Sequence, residues 1–228
     1  MEVASRGPYH DSLVQFPVLT VLRTRVKICG ITREADLDAA VAAGADALGF
    51  VFYPPSPRHL SLHRAAELVR RVPPFVTRVG LFVNPDPGLL AETLAAVDLD
   101  LIQFQGDESP AFCERIDRPY LKVARMRPGI DLLEFALAYR SARALLVDAY
   151  VESYGGAGQS FDWSLVPKEL PLPVVVAGGL TADNVGSAIR QICPSGVDVS
   201  SGVEAAKGIK DAGKIAAFIA AVKSADAR

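Results

Sequence analysis

Eight short runs of aliphatic and β-branched residues, each followed by a stretch of helical character, recur from Arg25 to the end of this chain. The runs are Val26 to Cys29, Ala47 to Phe52, Thr77 to Val83, Leu101 to Phe104, Tyr120 to Met126, Ala144 to Asp148, Pro173 to Ala177 and Val197 to Ser200. Helix starts are marked by Ser61 before Leu62, Asp86 before Pro87, Ser109 before Pro110 and Thr181 before Ala182, with a further start at Thr32. At such positions a short oxygen-bearing side chain accepts from unpaired backbone N–H groups, and proline suits the first turn. Leu90, Leu94 and Val97 fall at i, i+4, i+7, while Ile215, Phe218, Ile219 and Val222 fall at i, i+3, i+4, i+7. Each set lays one apolar stripe on a sheet. Strands apolar on both faces and alternating with helices imply a parallel sheet with its faces covered. An open doubly wound sheet shares this local pattern, but eight units favour a single closed parallel (β/α)8 barrel, the TIM-barrel architecture.

A chain of 228 residues with 50% hydrophobic content supports one substantial core, here assigned to a catalytic domain over residues 25–228. Residues 1–24, interrupted by Gly7, Pro8 and Pro17, read as an N-terminal extension with poor order. Its apolar piece from Leu13 to Leu22 carries Gln15, Pro17 and Thr20 and has no basic leader, which argues against a signal peptide. No later window offers the ~18 uncharged apolar residues of a membrane span. A net charge of -2 without a basic run excludes a nucleic-acid surface and leaves a small molecule as the expected ligand. Cys29, Cys113 and Cys193 are too few and too scattered for a disulfide framework or a zinc site, so a reducing cytoplasm and no metal are expected.

In such barrels the chemistry collects where strands end and loops begin. Cys29 stands at the end of the first strand, where a thiol serves as a base or nucleophile or simply plugs the interior. The loop Tyr53-Pro54-Pro55-Ser56-Pro57-Arg58-His59 stiffens one arginine, whose planar fork suits a carboxylate or phosphate; His59 reads as its solvent-facing neighbour. Asp148 directly follows a buried strand, where burial raises a carboxyl toward general-acid values. The long loop after it, with Gly155, Gly156, Ala157 and Gly158, has the length of a cover over a site. Gly178 and Gly179 after the seventh strand, with Ser200, Ser201 and Gly202 after the eighth, form a cradle for phosphate at the two loops where barrels frequently hold one.

The segments KICGIT (27–32), GFVFYPPSPRHLS (49–61), VGLFVN (79–84), IQFQGDESP (102–110), LLVDAY (145–150), YGGAGQSFDW (154–163), VAGGLTADNV (176–185) and GVDVSSGVE (196–204) together resemble the phosphoribosylanthranilate isomerase family of tryptophan biosynthesis. The resemblance runs from about Arg25 to the C-terminal helix and implies a TIM barrel without a cofactor. The implied reaction is the Amadori rearrangement of N-(5-phosphoribosyl)anthranilate to 1-(2-carboxyphenylamino)-1-deoxyribulose 5-phosphate. It further implies Cys29 as general base, Asp148 as general acid, Arg58 as the anthranilate-carboxylate contact and the loops at Gly178-Gly179 and Ser200-Ser201-Gly202 as the phosphate holders. Gln103, Gln105 and Gly156 line the implied pocket. The family usually reads QLHGDE where this chain has Gln103-Phe104-Gln105-Gly106-Asp107-Glu108, so its customary histidine is Gln105 here; GGTG likewise becomes GGAG at Ala157.

Two proton-transfer groups suffice for that chemistry, with a thiol of ordinary pKa ~8.5 tuned downward and a carboxyl of ~3.9 tuned upward. The expected partner is a phosphorylated small molecule bound by a monomer or homodimer. The alternatives are a non-catalytic or differently specialised phosphate-binding barrel. Among these, an aldolase would need a Schiff-base lysine, for which Lys27 and Lys122 lie on strands.

Overall fold

The computed structural model describes residues 23–127, 129–149 and 160–227. Its eight strands are β1 (Arg25–Cys29), β2 (Ala47–Val51), β3 (Thr77–Phe82), β4 (Leu101–Phe104), β5 (Tyr120–Met126), β6 (Ala144–Ala149), β7 (Val174–Val176) and β8 (Gly196–Val199). They pair in sequence order and close β8 onto β1, every pairing being parallel. The open-sheet alternative is thereby excluded.

The helices are α1 (Glu34–Ala43), α2 (Leu62–Arg70), α3 (Pro87–Ala96), α4 (Pro110–Glu114), α5 (Leu132–Ala138), α6 (Val185–Ile192) and α7 (Ala212–Asp226). Ser61, Asp86 and Ser109 cap their helices as expected, each side chain accepting from backbone N–H groups of the first turn. Two expected starts are displaced. The Thr32 hydroxyl donates instead to the Gly208 carbonyl, and α1 begins after Arg33. The Asn184 side chain accepts from the Thr181 N–H and donates to the Gly179 carbonyl, which holds a turn and delays α6 to Val185. The sixth connection contributes only a 3-10 turn, Trp163–Leu165, among its described residues.

Strand alternation sorts the core. Val26, Ile28, Leu48 and Phe50 join the large apolar cluster beneath the helices, to which α7 adds Ile215, Phe218, Ile219 and Val222 as its stripe predicted. A small cluster of Val123, Leu146, Ala177 and Val175 packs apart from it. Arg23 and Thr24, assigned to the extension on sequence, hydrogen-bond to Asp46 and Asp226. Residues 1–22 and the Gly155 to Gly158 cover lie outside the described residues.

The loops after β3 and β4 are stitched together by one buried carboxylate. Glu108 accepts from the N–H groups of Asn84 at 2.8 Å and Gly106 at 3.1 Å, and from Lys122 Nζ on β5 at 2.6 Å. Lys122 donates also to the Gly106 carbonyl at 2.7 Å and lies 5.3 Å from the centre of the Tyr139 ring. Removing the cation leaves an unpaired buried carboxylate, which costs about 3 kcal/mol or more. Lys122→Met should therefore lower the thermal midpoint by roughly 6–12 °C, and Glu108→Gln added to it should recover most of the loss. A midpoint within about 2 °C of the parent would show that Glu108 does not depend on this partner.

Candidate active site

The ends of the barrel strands open into one cavity of about 700 Å³, its mouth included, lined by Cys29, Arg58, Gln103, Gln105, Asp148, Asp198 and the loops at Gly178 to Leu180 and Ser200 to Gly202. Every site residue expected from the sequence and described by the structure meets here. Gly156 lies outside the described residues, and His59 is solvent-exposed.

Cys29 is 5% exposed at the last position of β1, and its thiol lies close to Gly49, where even a methyl group would approach the sulfur to 2.8 Å. The same methyl would come within 3.1 Å of Lys27 Nζ, so thiol and ammonium share one corner. Lys27 Nζ donates at 2.9 Å to Asp198 Oδ1, both residues buried and in register across β1 and β8. Burial pushes the Cys29 thiol above its ordinary value, Lys27 pulls it down, and Asp198 offsets Lys27. The downward tuning expected from the sequence is thus corrected: burial leaves the proton affinity of the thiol raised.

Asp148 behaves as expected. Its carboxyl is pushed up to about 6, first by burial, with Asp198 adding to the rise and Gln105 and Lys27 opposing it. Gln103 Nε2 donates to Gln105 Oε1 at 2.8 Å, and Gln105 Nε2 donates to Asp148 Oδ2 at 2.9 Å. A carboxylate only accepts, so its ionised form fixes the orientation of both amides. Gln103 Oε1 is left buried and without a partner among the described residues.

The two glycine-containing loops touch. Gly178 and Gly179 hold φ of 83° and 60°, the left-handed region that disfavours other residues. A side chain at Gly202 would collide with the Leu180 carbonyl, so the β7 and β8 loops approach as only a bare backbone allows. Beyond Ser200 the chain forms a 3-10 turn, Ser201–Val203, whose first N–H groups lack intrahelical partners. The Ser200 hydroxyl donates to the Cys29 carbonyl at 3.0 Å, tying this loop to β1.

Arg58 is buried rather than solvated. Its Nε and Nη2 donate to the two carboxylate oxygens of Glu204 at 2.7 and 2.8 Å. Glu204 lies on β9 (Glu204–Ala206), which pairs with β10 (Ile209–Lys210) in a hairpin that sequence reading missed. Asp198, Glu204 and Lys210 were missed with it, although Asp198 between two valines on an apolar strand was a readable signal. Neither candidate Schiff-base lysine is free, since Lys27 pairs with Asp198 and Lys122 with Glu108. Among the described residues no cluster of His, Cys, Asp and Glu is arranged to hold a metal ion, and no helix is long and apolar enough to cross a membrane.

The family model for N-(5'-phosphoribosyl)anthranilate (PRA) isomerase matches residues 26–221. The chain belongs to this family. The N-(5'-phosphoribosyl)anthranilate isomerase of Dechloromonas aromatica is 62% identical over 205 residues, covering 90% of this chain and 99% of that protein. Phosphoribosylanthranilate isomerase from Thermotoga maritima superposes with a TM-score of 0.82 at 42% identity, covering 88% of this chain and 99% of that one. A further phosphoribosylanthranilate isomerase structure, in complex with reduced 1-(o-carboxyphenylamino)-1-deoxyribulose 5-phosphate, has a TM-score of 0.79 at 40% identity over 88% and 99% of the two chains. The family resemblance seen in the sequence is confirmed, and with it an isomerase of tryptophan biosynthesis on a TIM barrel.

A carboxyl raised in the folded protein favours folding most when protonated, so its contribution is full below pH 4 and is lost as pH rises through about 6. Asp148→Asn removes this loss while keeping an acceptor for Gln105. The thermal midpoint of Asp148→Asn should pull ahead of the parent between pH 4 and pH 8, by at most about 3 kcal/mol of stability. Parallel curves across that range would mean that Asp148 titrates as an ordinary aspartate.

Proposed function

We propose that this isomerase converts N-(5-phosphoribosyl)anthranilate to 1-(2-carboxyphenylamino)-1-deoxyribulose 5-phosphate, with Asp148 as general acid and Cys29 as general base. The observation that supports the reading best is that a carboxyl raised to about 6 and a buried thiol line one cavity with an arginine and two close glycine loops. In barrel order, Arg58 follows β2 and the glycine loops follow β7 and β8, so the anion contacts flank Cys29 on β1 from both sides. Arg58 takes the anthranilate carboxylate, while Gly178, Gly179, Ser201 and Gly202 take the phosphate through backbone N–H groups and the Ser201 hydroxyl. Ser200 supports that loop through its bond to β1.

Asp148 delivers a proton to the furanose oxygen as the bond from C1 to that oxygen breaks, and the anthranilate nitrogen supplies the electron pair that makes the C1–N Schiff base. Cys29, having released its thiol proton to solvent, then removes the proton from C2 as the thiolate; the C2–H electrons form the C1–C2 double bond and the iminium electrons return to nitrogen. Ketonisation moves the enol proton to C1, so the overall change is an isomerisation. A doubly anionic substrate raises Asp148 further and keeps it protonated nearer neutrality. The iminium charge formed in the first step, beside Lys27, draws the Cys29 proton affinity down when a base is required. The described site lies within one chain, so a monomer or a homodimer in the cytoplasm serves equally.

Loss of substrate fluorescence measures turnover. Cys29→Ala should reduce kcat by ~10²–10⁴-fold with product-analogue affinity nearly unchanged. Asp148→Asn should do likewise, and the parent's kcat should fall at high pH as the acid ionises. Near-parental rates in Cys29→Ala would make the thiol a plug. Gln105→His should leave kcat within several-fold, because Gln105 positions Asp148 without carrying its proton. A gain on the order of a hundredfold, ~2.7 kcal/mol of barrier, would contradict that division.

A further inference from the structure

The β9–β10 hairpin carries two buried charges that the proposed reaction does not use. Glu204 and Lys210 are both buried, and Lys210 Nζ donates to Glu204 Oε1 at 2.9 Å, to the Ser200 carbonyl at 3.1 Å and to Ser200 Oγ at 3.2 Å. Three donations to three oxygens are the full complement of an ammonium group. The hairpin backbone does not rely on them: the Lys210 N–H donates to Asp36 Oδ2 at 3.2 Å, and the Lys210 carbonyl accepts from Arg33 at 3.3 Å. Glu204 meanwhile takes both Nε and Nη2 of Arg58, so Nη1 is the only guanidinium nitrogen without a protein acceptor among the described residues.

An arginine held this way has a fixed direction but a cancelled charge. Arg58 and Glu204 alone sum to zero, a poor attraction for an anion; with Lys210 the triad sums to plus one. We infer that Glu204 and Lys210 are positioning residues for the substrate's carboxylate: Glu204 aims Arg58, and Lys210 offsets Glu204 so that the trio keeps one positive charge. The inference rests on the assignment of Arg58 to that carboxylate. Lys210 is too enclosed to touch substrate and acts through its neighbours.

The test compares two probes, reduced 1-(o-carboxyphenylamino)-1-deoxyribulose 5-phosphate and the same compound without its carboxyl group, by calorimetry, alongside KM and kcat. Lys210→Met should weaken the carboxylated probe by on the order of tenfold or more, change the decarboxylated probe by less than about threefold, and raise KM with kcat within several-fold. The double variant Glu204→Gln/Lys210→Met returns the trio to plus one and should regain a substantial part of the lost affinity. A purely structural role for Lys210 would also show recovery in the double variant, but it would weaken the two probes alike. Equal weakening of both probes by Lys210→Met, no weakening, or a double variant no better than the single would each overturn the inference. Arg58→Met serves as reference. If it fails to discriminate the probes, the Arg58 assignment falls; if it discriminates and Lys210→Met does not, only the role of the triad falls.

Discussion

The barrel closes where β8 meets β1, and at that seam Lys27 donates to Asp198 across paired register positions. Two buried charges of opposite sign at the closing edge constrain everything above them, because neither is tolerated without the other. They lie beside Cys29 and within electrostatic reach of Asp148, and they act on both groups with opposite signs. Their influences oppose each other, and burial is the largest single force on the thiol and on the carboxyl alike. A floor with no net charge lets desolvation set the proton affinities.

The rim is arranged differently. Arg58, Glu204 and Lys210 leave an excess of positive charge beside the loop that carries Ser200, while Gly178, Gly179 and Gly202 bring backbone close to where a phosphate would enter. On the proposed function, a substrate with a carboxylate and a phosphate would be drawn to that rim and its reacting carbons held over the floor. Separating attraction from proton transfer is economical. The anion contacts need permanent charge, whereas the acid must keep its proton near neutrality.

The strands and the candidate residues at their ends were legible because both follow local rules: several apolar runs end in Gly, Ser or a charged residue, and barrels place chemistry there. Cys29, Arg58, Asp148 and the paired glycines needed no partner to be noticed. Helix starts were legible only where the capping oxygen serves its own helix, as Ser61 does; Thr32 instead reaches Gly208, 176 residues away, and no local pattern shows that. The hairpin escaped because its strands run three and two residues, too short for alternation to register. Glu204 and Arg58 stand 146 residues apart, and Lys27 and Asp198 are separated by 171. Their roles exist only once the chain has closed. The direction of the Cys29 shift escaped for the same reason: the expectation comes from the reaction, while the burial comes from the fold.

The central claim is that burial above a charge-balanced floor holds Asp148 as an acid close to physiological pH. It is tested most directly by carbon-13 NMR of the protein labelled at its aspartate carboxyls, with Asp148→Asn used to assign the resonance. The account predicts a carboxyl titrating at about 6, well above the ordinary ~3.9, and shifting further upward with the reduced product analogue bound. An Asp148 resonance that titrates near 4 in the free enzyme would contradict it.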